Sequence, residues 1–423
     1  MGAGLHVGTG RFVGTLSCVP MAKKTIAQIE VAGKRVLCRV DFNVPIDEGV
    51  LGDDRRIREA LPTLRSVLDR GGSLVLMSHL GRPEGKGYEA VDSLKPVAAR
   101  LGELLGRQVQ FPSTDCTDAA SSAAVAALKP GEVLLLENVR FAKGEKKGEP
   151  AYAAALGAYG HVYCNDAFGT AHRQDGSMYA VAKEMKANDK PCVAGLLLDK
   201  ELRYLGGALA KPARPFVVVL GGAKVSDKIA LIENMLPKAD QILVGGAMAY
   251  PFLKAQGKQI GSSRASDEDV AAAKGLLDLA GKARCELFLP EDHVCSTVFS
   301  QTEGEKKIFD HAIGEGFMGL DIGPKTQVRY ALVIKKAKTV VWNGPMGVFE
   351  WASFRVGTQI VAQAMVDATK GGAVSIVGGG DSASAAEMLH LAGGFSHVST
   401  GGGASLEMLS GKPFASVELL DGA

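Results

Sequence analysis

The segment PFVVVLGGAKVSDK, residues 215–228, carries the two signals that decide the fold of this chain. Residues 215–220 form a short run rich in β-branched side chains, which is typical of a buried strand. Gly221 and Gly222 end this run, and a segment of helical period follows them. A strand, a glycine turn and a helix in succession predict a βαβ unit, and therefore a parallel sheet.

The same alternation of short apolar runs and longer helical segments continues in both directions along the chain. It predicts an α/β protein in which helices cover the faces of mainly parallel sheets. Four strands are predicted in the first half, at residues 35–40, 73–78, 132–137 and 161–165. Five are predicted in the second half, at residues 215–220, 241–244, 339–342, 373–377 and 396–399.

The length of 423 residues predicts two domains, since one domain usually takes roughly 150 residues. Proline-containing segments at 190–191 and 211–215 bracket the predicted boundary. Leucines recur between them at helical spacing, which indicates either a connecting helix or one more amphipathic surface helix. We expect an extension at 1–20, a first domain at 21–190, a connecting helix and hinge at 191–213, a second domain at 214–404, and a C-terminal segment at 405–423.

The composition excludes several classes of protein. With 46% hydrophobic and 22% charged residues, the chain has enough apolar surface to bury a core, unlike a disordered chain. The 48 Lys and Arg nearly balance the 46 Asp and Glu, so the net charge of +2 gives no general attraction to nucleic acid or to an anionic membrane. No apolar run reaches the length of about 18 residues that a membrane span needs.

The seven cysteines favour a reducing compartment. Their odd number and scattered positions, without a C-x-x-C pair, argue against a disulfide framework and a zinc site. Residues 1–20 lack the continuous apolar stretch of a signal peptide, although the absence of acidic residues leaves organelle targeting open. We therefore predict a cytoplasmic protein, with a plastid or another organelle as the alternative.

The predicted strands of the first half end in polar turns. These turns are DFNVP (41–45), SHLGRP (78–83), ENVRF (137–141) and DAFGTAHR (166–173). Ligands of open parallel sheets bind beyond the carboxyl ends of the strands, so these turns form a candidate site. Three of them carry arginine, whose planar donor fork fits phosphate and carboxylate oxygens. A single such arginine is more often a solvated surface charge, but three together predict a small, multiply anionic substrate.

Most strands of the second half end in glycine turns instead. The turns are GGAKVSDK (221–228), GGA (245–247), GGGDS (378–382) and GGGAS (401–405). Glycines at these positions let phosphate oxygens approach backbone N–H groups at helix N-termini, where the helix dipole also favours anions. Any one turn is explained equally well as a tight strand-to-helix connection, but four together predict a nucleotide site.

Missing motifs narrow the chemistry further. The chain contains no complete G-x-x-x-x-G-K-[ST], H-E-x-x-H or G-x-S-x-G, and no G-x-G-x-x-G follows a predicted strand. An anion-binding half joined to a nucleotide-binding half predicts phosphoryl transfer between substrates held on facing domains. A nicotinamide-dependent oxidoreductase and a catalytically inactive binding protein are the alternatives, and the missing dinucleotide motif counts against the first.

Six segments stand in an order that is typical of one family: RVDFNVP, MSHLGRP, NDAFGTAHR, LGGAKVSDK, VWNGPMGVFEW and STGGGASLE. Over about residues 22–423 the chain resembles the phosphoglycerate kinases. The resemblance implies two Rossmann-like α/β domains, a C-terminal segment that returns to the first domain, and a monomer. It also implies reversible phosphoryl transfer from 1,3-bisphosphoglycerate to MgADP, giving 3-phosphoglycerate and MgATP, with Mg²⁺ as cofactor.

The resemblance further implies roles for residues of the first half. Arg56, in DRRIR (54–58), is similar to the family's catalytic arginine, which stabilises the phosphoryl group in flight. Without the resemblance Arg56 is one of three clustered arginines and reads as a solvated charge. The residues implied to surround 3-phosphoglycerate are Asp41, Phe42, Asn43, Arg56, His79, Leu80, Gly81, Arg82, Arg140, His172 and Arg173.

In the second half the resemblance implies a nucleotide site. Lys224 is similar to the lysine that meets the transferring phosphoryl group, and Lys228 to the one on the nucleotide phosphates. Asp381 is similar to the Mg²⁺ ligand, and the backbone of Gly380 and Gly403 to groups that meet the transition state. The implied nucleotide-binding residues are Gly222, Ala223, Lys224, Lys228, Gly245, Gly246, Gly319, Asn343, Glu350, Gly379, Gly380, Asp381 and Ser382.

Three features bear on how far the resemblance extends. Ser382 stands where the family usually has threonine; because the hydroxyl is kept, we expect nucleotide binding with slightly looser packing. The extension at 1–20 has no family counterpart. The short charged loop at 143–150 favours bacterial or plastid relatives.

Overall fold

The computed structural model describes residues 22–423, so the extension at 1–20 lies outside the described part of the chain. The strands, in chain order, are β1 (Arg35–Arg39), β2 (Ile46–Asp47), β3 (Val50–Leu51), β4 (Ser73–Met77), β5 (Val109–Gln110), β6 (Val133–Leu135), β7 (Val162–Asn165), β8 (Cys192–Ala194), β9 (Phe216–Leu220), β10 (Gln241–Val244), β11 (Glu286–Phe288), β12 (Asp292–Ser296), β13 (Lys306–Asp310), β14 (Met318–Ile322), β15 (Thr339–Asn343), β16 (Val374–Gly378) and β17 (His397–Val398).

Helices connect most strands of the two larger sheets, as the sequence predicts. In chain order they are α1 (Arg55–Leu68), α2 (Lys95–Leu105), α3 (Ala119–Ala127), α4 (Lys143–Lys147), α5 (Pro150–Gly157), α6 (Val181–Ala187), α7 (Leu196–Ala210), α8 (Ile229–Met235), α9 (Ala249–Ala255), α10 (Asp267–Ala280), α11 (Pro324–Lys336), α12 (Val356–Lys370), α13 (Gly380–Met388), α14 (Gly403–Leu409) and α15 (Ala415–Glu418).

The first sheet contains six parallel strands in the order β5-β6-β4-β1-β7-β8. β1 lies between β4 and β7, and its last residue, Arg39, is in register with Met77 and Asn165 at the ends of these neighbours. Parallel strands that end in register release their following turns at one edge of the sheet. Three of the polar turns seen in the sequence therefore leave the sheet side by side.

The second sheet also contains six parallel strands, in the order β11-β10-β9-β15-β16-β17. β9 lies between β10 and β15, and Leu220 at its end is in register with Val244 and Asn343. The glycine turns that follow β9 and β10 thus meet the turn after β15 at one edge. Two helix-covered parallel sheets confirm the predicted α/β fold class.

The predicted strands are all present, and each end lies within two residues of its predicted position. The sequence analysis missed short edge strands and a separate antiparallel sheet in the order β13-β12-β14. β12 begins with Asp292 and His293, which are buried, and β13 is mostly exposed. A buried strand is recognised in a sequence by a continuous apolar run. The central strand β12 contains polar residues and the edge strand β13 is mostly exposed, so neither has such a run.

Helix α7 joins the two sheets through a shared apolar core. Its residues Leu198, Leu202 and Leu205 are buried in one cluster with Leu37 from β1 and Phe216 from β9. The three leucines lie at helical spacing on one face, so burial of this face against both sheets explains the periodicity of the sequence. The preceding strand β8 lies within the predicted connecting segment but pairs with β7 of the first sheet.

The last residues of the chain contact the first sheet. The backbone N–H of Asp421 donates to the carbonyl oxygen of Cys192 at 2.8 Å, and the backbone N–H of Lys24 donates to the carbonyl oxygen of Asp421 at 2.9 Å. The Asp421 carboxylate also pairs with Lys186 at 3.0 Å. These contacts attach the C-terminal end beside β8 although α14 lies next to the second sheet.

Candidate functional site

The carboxyl edges of both sheets open onto a cavity of about 450 Å³. Asn43 and Arg56 line this cavity from the first domain, and Gly380 and Gly402 line it from the second. The polar turns and the glycine turns recognised separately in the sequence therefore border the same space. A substrate bound at one edge can therefore meet a group bound at the other across this cavity.

Asp41 and Arg56 form an ion pair at the first-domain wall of the cavity. Asp41 follows β1, Arg56 lies in the first turn of α1, and the Arg56 Nη1 atom donates to Asp41 Oδ1 at 3.2 Å and to the carbonyl oxygen of Asn43 at 3.0 Å. Burial raises the pKa of the Asp41 carboxyl, but His79, Arg56 and Arg39 together outweigh burial and hold this pKa below its usual value. Asp41 is therefore an anion that fixes Arg56.

The turn after β4 closes over this pair. Gly81, with φ of +63°, donates its N–H to Asn43 Oδ1 at 2.9 Å, and its carbonyl oxygen accepts from Arg140 Nη1 at 2.8 Å. A Cβ atom at Gly81 would lie 2.1 Å from the Asp92 carboxylate, so only glycine fits this turn. Burial, together with the neighbouring arginines, lowers the pKa of His79 to about 3, so its imidazole is neutral at neutral pH.

The other predicted substrate residues differ in how they reach this edge. Phe42 and Leu80 are buried in the apolar core, so their side chains support the turns from below. His172 and Arg173 are half-buried, and Arg173 Nε lies 3.4 Å from His172 Nε2. Arg82 is exposed at the rim. Arg140 is buried, so the basic cluster at these turns combines buried and exposed members.

A second cavity, of about 590 Å³, lies in the second domain. Its apolar walls include Met318, Val348 and Phe349. Such walls beside exposed backbone suit a flat ring that carries polar substituents. The predicted nucleotide-binding residues that line it are Gly222, Ala223, Gly246, Gly319, Glu350 and Asp381.

Two of these positions require glycine. Gly246 has φ of +66°, and a Cβ atom there would lie 2.6 Å from the backbone nitrogen of Gly222. At Gly319 a Cβ atom would lie 1.8 Å from the hydroxyl oxygen of Tyr250. The neighbouring Gly245 is buried against Met346 and supports the cavity from behind.

Lys228 and Asn343 are in contact beside this cavity. Lys228 Nζ donates to the carbonyl oxygen of Asn343 at 3.1 Å and also to its side-chain Oδ1. Burial lowers the pKa of Lys228 to about 8, although the carboxylates of Asp381 and Asp227 raise it. Lys228 is thus a cation that is short of anionic partners, as expected of a group that meets phosphate.

Ser382 holds the floor of the second-domain edge. Its hydroxyl oxygen, fully buried, accepts from the backbone N–H of Gly344 at 2.6 Å. Asn343 Nδ2 donates to the carbonyl oxygen of Gly378 at 3.0 Å. The hydroxyl retained at position 382 is therefore structural and ties the end of β15 to helix α13.

The remaining predicted residues lie at helix starts or in exposed turns. Gly379, with φ of +90°, precedes α13, and Gly380 and Gly403 are the first residues of α13 and α14. Their N–H groups belong to first helical turns, where anions are favoured. Lys224 is exposed in the turn after β9 and lines neither cavity in the described structure.

Sequence reasoning missed two buried charged residues at this site. Arg39 lies inside β1 beside His79, with Nη2 at 3.4 Å from His79 Nδ1. Glu201 lies on the buried face of α7, where its carboxylate pairs with His397 Nε2 at 2.7 Å and accepts from the N–H of Thr400 at 2.8 Å. The signal in both cases is a charged residue at a position where the pattern of the element demands an apolar one.

It also missed an ion pair that bridges the cavity. Arg55 Nη1, from α1 of the first domain, lies 2.9 Å from Glu387 Oε1 of α13 in the second. Arg55 Nη2 also donates to the carbonyl oxygen of Val398 at 3.4 Å. No sequence pattern identifies such a pair, because its partners lie more than 300 residues apart.

Within residues 22–423, no three His, Cys, Asp or Glu side chains come together as a potential metal cage. Over the same range, no helix combines the length and the apolar character needed to cross a membrane.

Comparison with known proteins gives one family throughout. A family model described as phosphoglycerate kinase matches residues 26–412. The phosphoglycerate kinase of Rhodopirellula baltica is 54% identical over 406 residues, which cover 95% of this chain and 100% of that protein. The glycosomal phosphoglycerate kinase of Crithidia fasciculata is 51% identical over 422 residues, covering 96% of this chain and 91% of that one.

Solved structures agree with the sequence relatives. The phosphoglycerate kinase of Coxiella burnetii superimposes with a TM-score of 0.85 at 38% identity, covering 94% of this chain and 98% of that chain. The phosphoglycerate kinase of Pyrococcus horikoshii OT3 superimposes with a TM-score of 0.76 at 31% identity, with the same coverage.

Proposed function

This chain belongs to the phosphoglycerate kinase family, and on that premise we propose how its two sheet edges divide the reaction. The reaction is reversible transfer of a phosphoryl group from the acyl phosphate of 1,3-bisphosphoglycerate to MgADP, giving 3-phosphoglycerate and MgATP. Family membership rules out the nicotinamide-dependent oxidoreductase considered from the sequence. The observation that carries the proposal is the cavity lined by Arg56 from one domain and by Gly380 and Gly402 from the other.

The first-domain edge binds the phosphoglycerate. The carboxylate and phosphate groups of this substrate match the guanidinium groups of Arg82, Arg140 and Arg173. Each guanidinium presents parallel N–H donors to the oxygens of such groups. His79 is neutral, and burial also lowers the pKa of His172, so both serve as directional hydrogen-bonding groups rather than as permanent charges. Asn43 belongs to the same edge through its bond with Gly81.

Arg56 stabilises the phosphoryl group during transfer. Its hydrogen bonds to Asp41 and to the carbonyl oxygen of Asn43 use the Nη1 atom, whereas a guanidinium group carries five N–H donors in all. The side chain is held by Asp41 on one side and lines the cavity on the other. This arrangement supports the role, because a permanent cation stabilises the negative charge that spreads over transferring phosphoryl oxygens.

The second-domain edge binds the nucleotide. Gly246 and Gly319 border the cavity that suits the purine, with Glu350 at the ribose. Lys228 meets the nucleotide phosphates and Lys224 the transferring group, while Gly380 and Gly403 offer backbone N–H groups. Transfer follows closure of the domains, which aligns donor and acceptor and removes water.

Asp381 fits the role of Mg²⁺ ligand. It is exposed at the start of α13, lines the nucleotide cavity and offers carboxylate oxygens, which this ion prefers. A single protein carboxylate is sufficient because Mg²⁺ usually retains waters and shares nucleotide phosphates. When bound, the ion supplies neutralisation of phosphate charge.

We extend the proposal to assembly and location. Both walls of the shared cavity come from one chain, so the site is complete in a monomer. Cytosolic and glycosomal relatives from Crithidia fasciculata are equally similar, at 51% identity, so the relatives' names do not decide the compartment. The six described cysteines are free, which favours the cytoplasm.

The test is an assay of the purified chain in both directions. ATP formation from ADP, Mg²⁺ and 1,3-bisphosphoglycerate is expected, with the reverse reaction from 3-phosphoglycerate and ATP, and both are expected to stop when Mg²⁺ is chelated. Thermal protection by MgADP and by 3-phosphoglycerate, measured separately, tests the two edges without turnover. A folded chain that either ligand fails to protect would contradict the assignment of that edge.

A further inference from the structure

Behind the phosphoglycerate edge lies a buried series of hydrogen-bonded side chains that none of the roles above includes. The series begins at Glu145 in α4, continues through Ser177 and ends at Arg39 in β1. Each of these side chains is about 1% exposed or less. An ionisable group in the core destabilises the fold unless its hydrogen bonds are satisfied. Glu145 and Arg39 therefore depend on the hydrogen bonds of this series.

The hydrogen bonds of Ser177 fix the direction of donation along this series, from Arg39 to Ser177 and from Ser177 to Glu145. Its hydroxyl donates to Glu145 Oε1 at 2.6 Å, and its backbone N–H donates to Glu145 Oε2 at 2.8 Å. Arg39 Nε then donates to the Ser177 hydroxyl oxygen at 2.9 Å. A hydroxyl has only one proton and Arg39 can only donate, so this proton must point at Glu145.

The backbone around Ser177 is equally restrained. The carbonyl oxygen of Ser177 accepts from the hydroxyl of Tyr163 at 3.0 Å. The backbone N–H, the carbonyl and the hydroxyl of Ser177 are therefore all engaged. The residue lies in a five-residue π-helix, Gly176–Ala180, and helices of this kind are rare and often occur at functional sites.

At its other end, the series of hydrogen-bonded side chains reaches the substrate edge through Arg39. Arg39 Nη2 lies 3.4 Å from His79 Nδ1, and its Nη1 donates to the carbonyl oxygen of Val40. His79 Nδ1 in turn lies 3.9 Å from Asp41 Oδ1, the atom that also accepts from Arg56. A continuous series of polar contacts thus leads from Glu145 to the proposed catalytic arginine.

We propose that Glu145 and Ser177 are positioning residues for the phosphoglycerate site, acting through Arg39 on the orientation of His79 and Asp41. The inference rests on the proposed function of that edge. Without the Ser177 acceptor, Arg39 loses the bond that fixes its Nε, and its guanidinium is free to turn away from His79. The substrate groups would then remain present but lose their preset geometry.

The test is a pair of substitutions in the full chain, Ser177→Ala and Glu145→Gln. The first removes the acceptor for Arg39, and the second replaces an acceptor oxygen by a donor while keeping shape. We expect KM for 3-phosphoglycerate to rise about tenfold in Ser177→Ala and about fivefold in Glu145→Gln, with KM for MgATP changed less than about twofold. The double variant is expected to match the worse single variant, because both act through Arg39.

Ser121→Ala is the matched control. Ser121 is equally buried in the first domain, and its hydroxyl donates to the carbonyl oxygen of Asp115, away from the site. Both serine variants are expected to lower the melting temperature, but only Ser177→Ala is expected to raise KM for 3-phosphoglycerate. Unchanged KM and kcat in Ser177→Ala and Glu145→Gln would overturn the inference.

Two further outcomes are separable. If Ser177→Ala does not fold, Glu145→Gln decides the question alone, because its amide preserves the volume of the carboxylate. Arg140→Ala tests the proposed function of the edge itself. If that variant also binds 3-phosphoglycerate normally by calorimetry, the assignment of the edge fails rather than the positioning role.

Discussion

At the carboxyl edge of the first sheet the polar side chains are already bonded to one another, whereas at the edge of the second sheet the chain presents mostly backbone. Arg56 and Arg140 are held by Asp41 and by the carbonyl of Gly81 before any ligand arrives. The second edge instead combines glycine turns with Lys228, which donates to Asn343. One edge is preorganised through side chains and the other through main-chain conformation.

The difference has a physical origin in the two ligands. A small anion with several charged groups is recognised by guanidinium forks at fixed angles, which demands restrained side chains. A nucleotide offers a large flat surface and a phosphate chain that must approach backbone N–H groups closely, which demands the absence of side chains. Substitutions should therefore act by truncation at the first edge and by addition of atoms at the second.

The largest effect is expected from Arg56→Ala. Loss of the cation proposed to meet the transferring phosphoryl group should lower kcat by on the order of 10³. Arg58→Ala is the control, since Arg58 lies in the same helical turn, is exposed, and pairs with Asp54 rather than with Asp41. Steady-state kinetics of both variants decide the point. Near-normal turnover in Arg56→Ala would contradict the proposal that a side-chain charge at the first edge stabilises the transferring phosphoryl group.

The next effect is expected from Gly246→Ala. The added Cβ strains a positive-φ residue by about 1–3 kcal/mol and would also lie 2.6 Å from the nitrogen of Gly222. We expect KM for MgADP to rise at least about tenfold while KM for 3-phosphoglycerate stays unchanged. Gly257→Ala shares the positive φ but has no atom within 4 Å of its Cβ, so it isolates strain from contact. Equal KM values for MgADP in the two variants would show that close approach is unimportant.

A smaller effect is expected from pH at Lys228. Its pKa of about 8 means that the free protein loses this positive charge as pH rises from about 7 to 9. Attraction to nucleotide phosphates weakens in that direction, so KM for MgADP should rise several-fold. The groups facing Lys228 are Asn343 and the carboxylates of Asp381 and Asp227, which oppose the loss. In Lys228→Arg the positive charge persists, so the rise in KM for MgADP with pH should vanish. The same pH profile of KM in this variant and in the unsubstituted protein would contradict the role of the Lys228 charge.

The smallest effect is expected at the ion pair that joins the two edges. Arg55 and Glu387 are 25% and 52% exposed, and such pairs contribute about 0.2–1 kcal/mol, screened by salt. A double-mutant cycle on urea unfolding should give a coupling in this range at low salt and none at high salt. The control pair is Arg203 with Asp199, which lies within α7 alone. Small-angle scattering should show a more open average shape for Arg55→Ala only.

Much of the architecture could be predicted because it depends on local pattern. The buried strands of both sheets are continuous apolar runs, and helix α7 repeats leucine at the spacing that places Leu198, Leu202 and Leu205 on one face. The small antiparallel sheet could not be predicted in this way. Its central strand begins with Asp292 and His293, and Asp292 is buried through bonds from the backbone of Lys325 and Thr326.

The site divides along the same line. The strand-end position of Arg140 and the glycine turn at Gly246 follow from sequence, because parallel strands bring their following turns to one edge. The role proposed for Arg56 among its neighbours did not follow from the pattern and came from family resemblance alone. What distinguishes it structurally is the bond to Asp41, whereas Arg55 turns to Glu387 and Arg58 to Asp54.

The sequence by itself determined the α/β class, the positions of the main strands and the contrast between an arginine-bearing edge and a glycine-bearing edge. These properties depend on residues close to one another in the chain. Only the tertiary structure decided which polar side chains contact one another: Arg39 with Ser177, Glu201 with His397, and Arg55 with Glu387. The partners in these pairs are more than 130 residues apart, and such separations leave no periodic trace in a sequence.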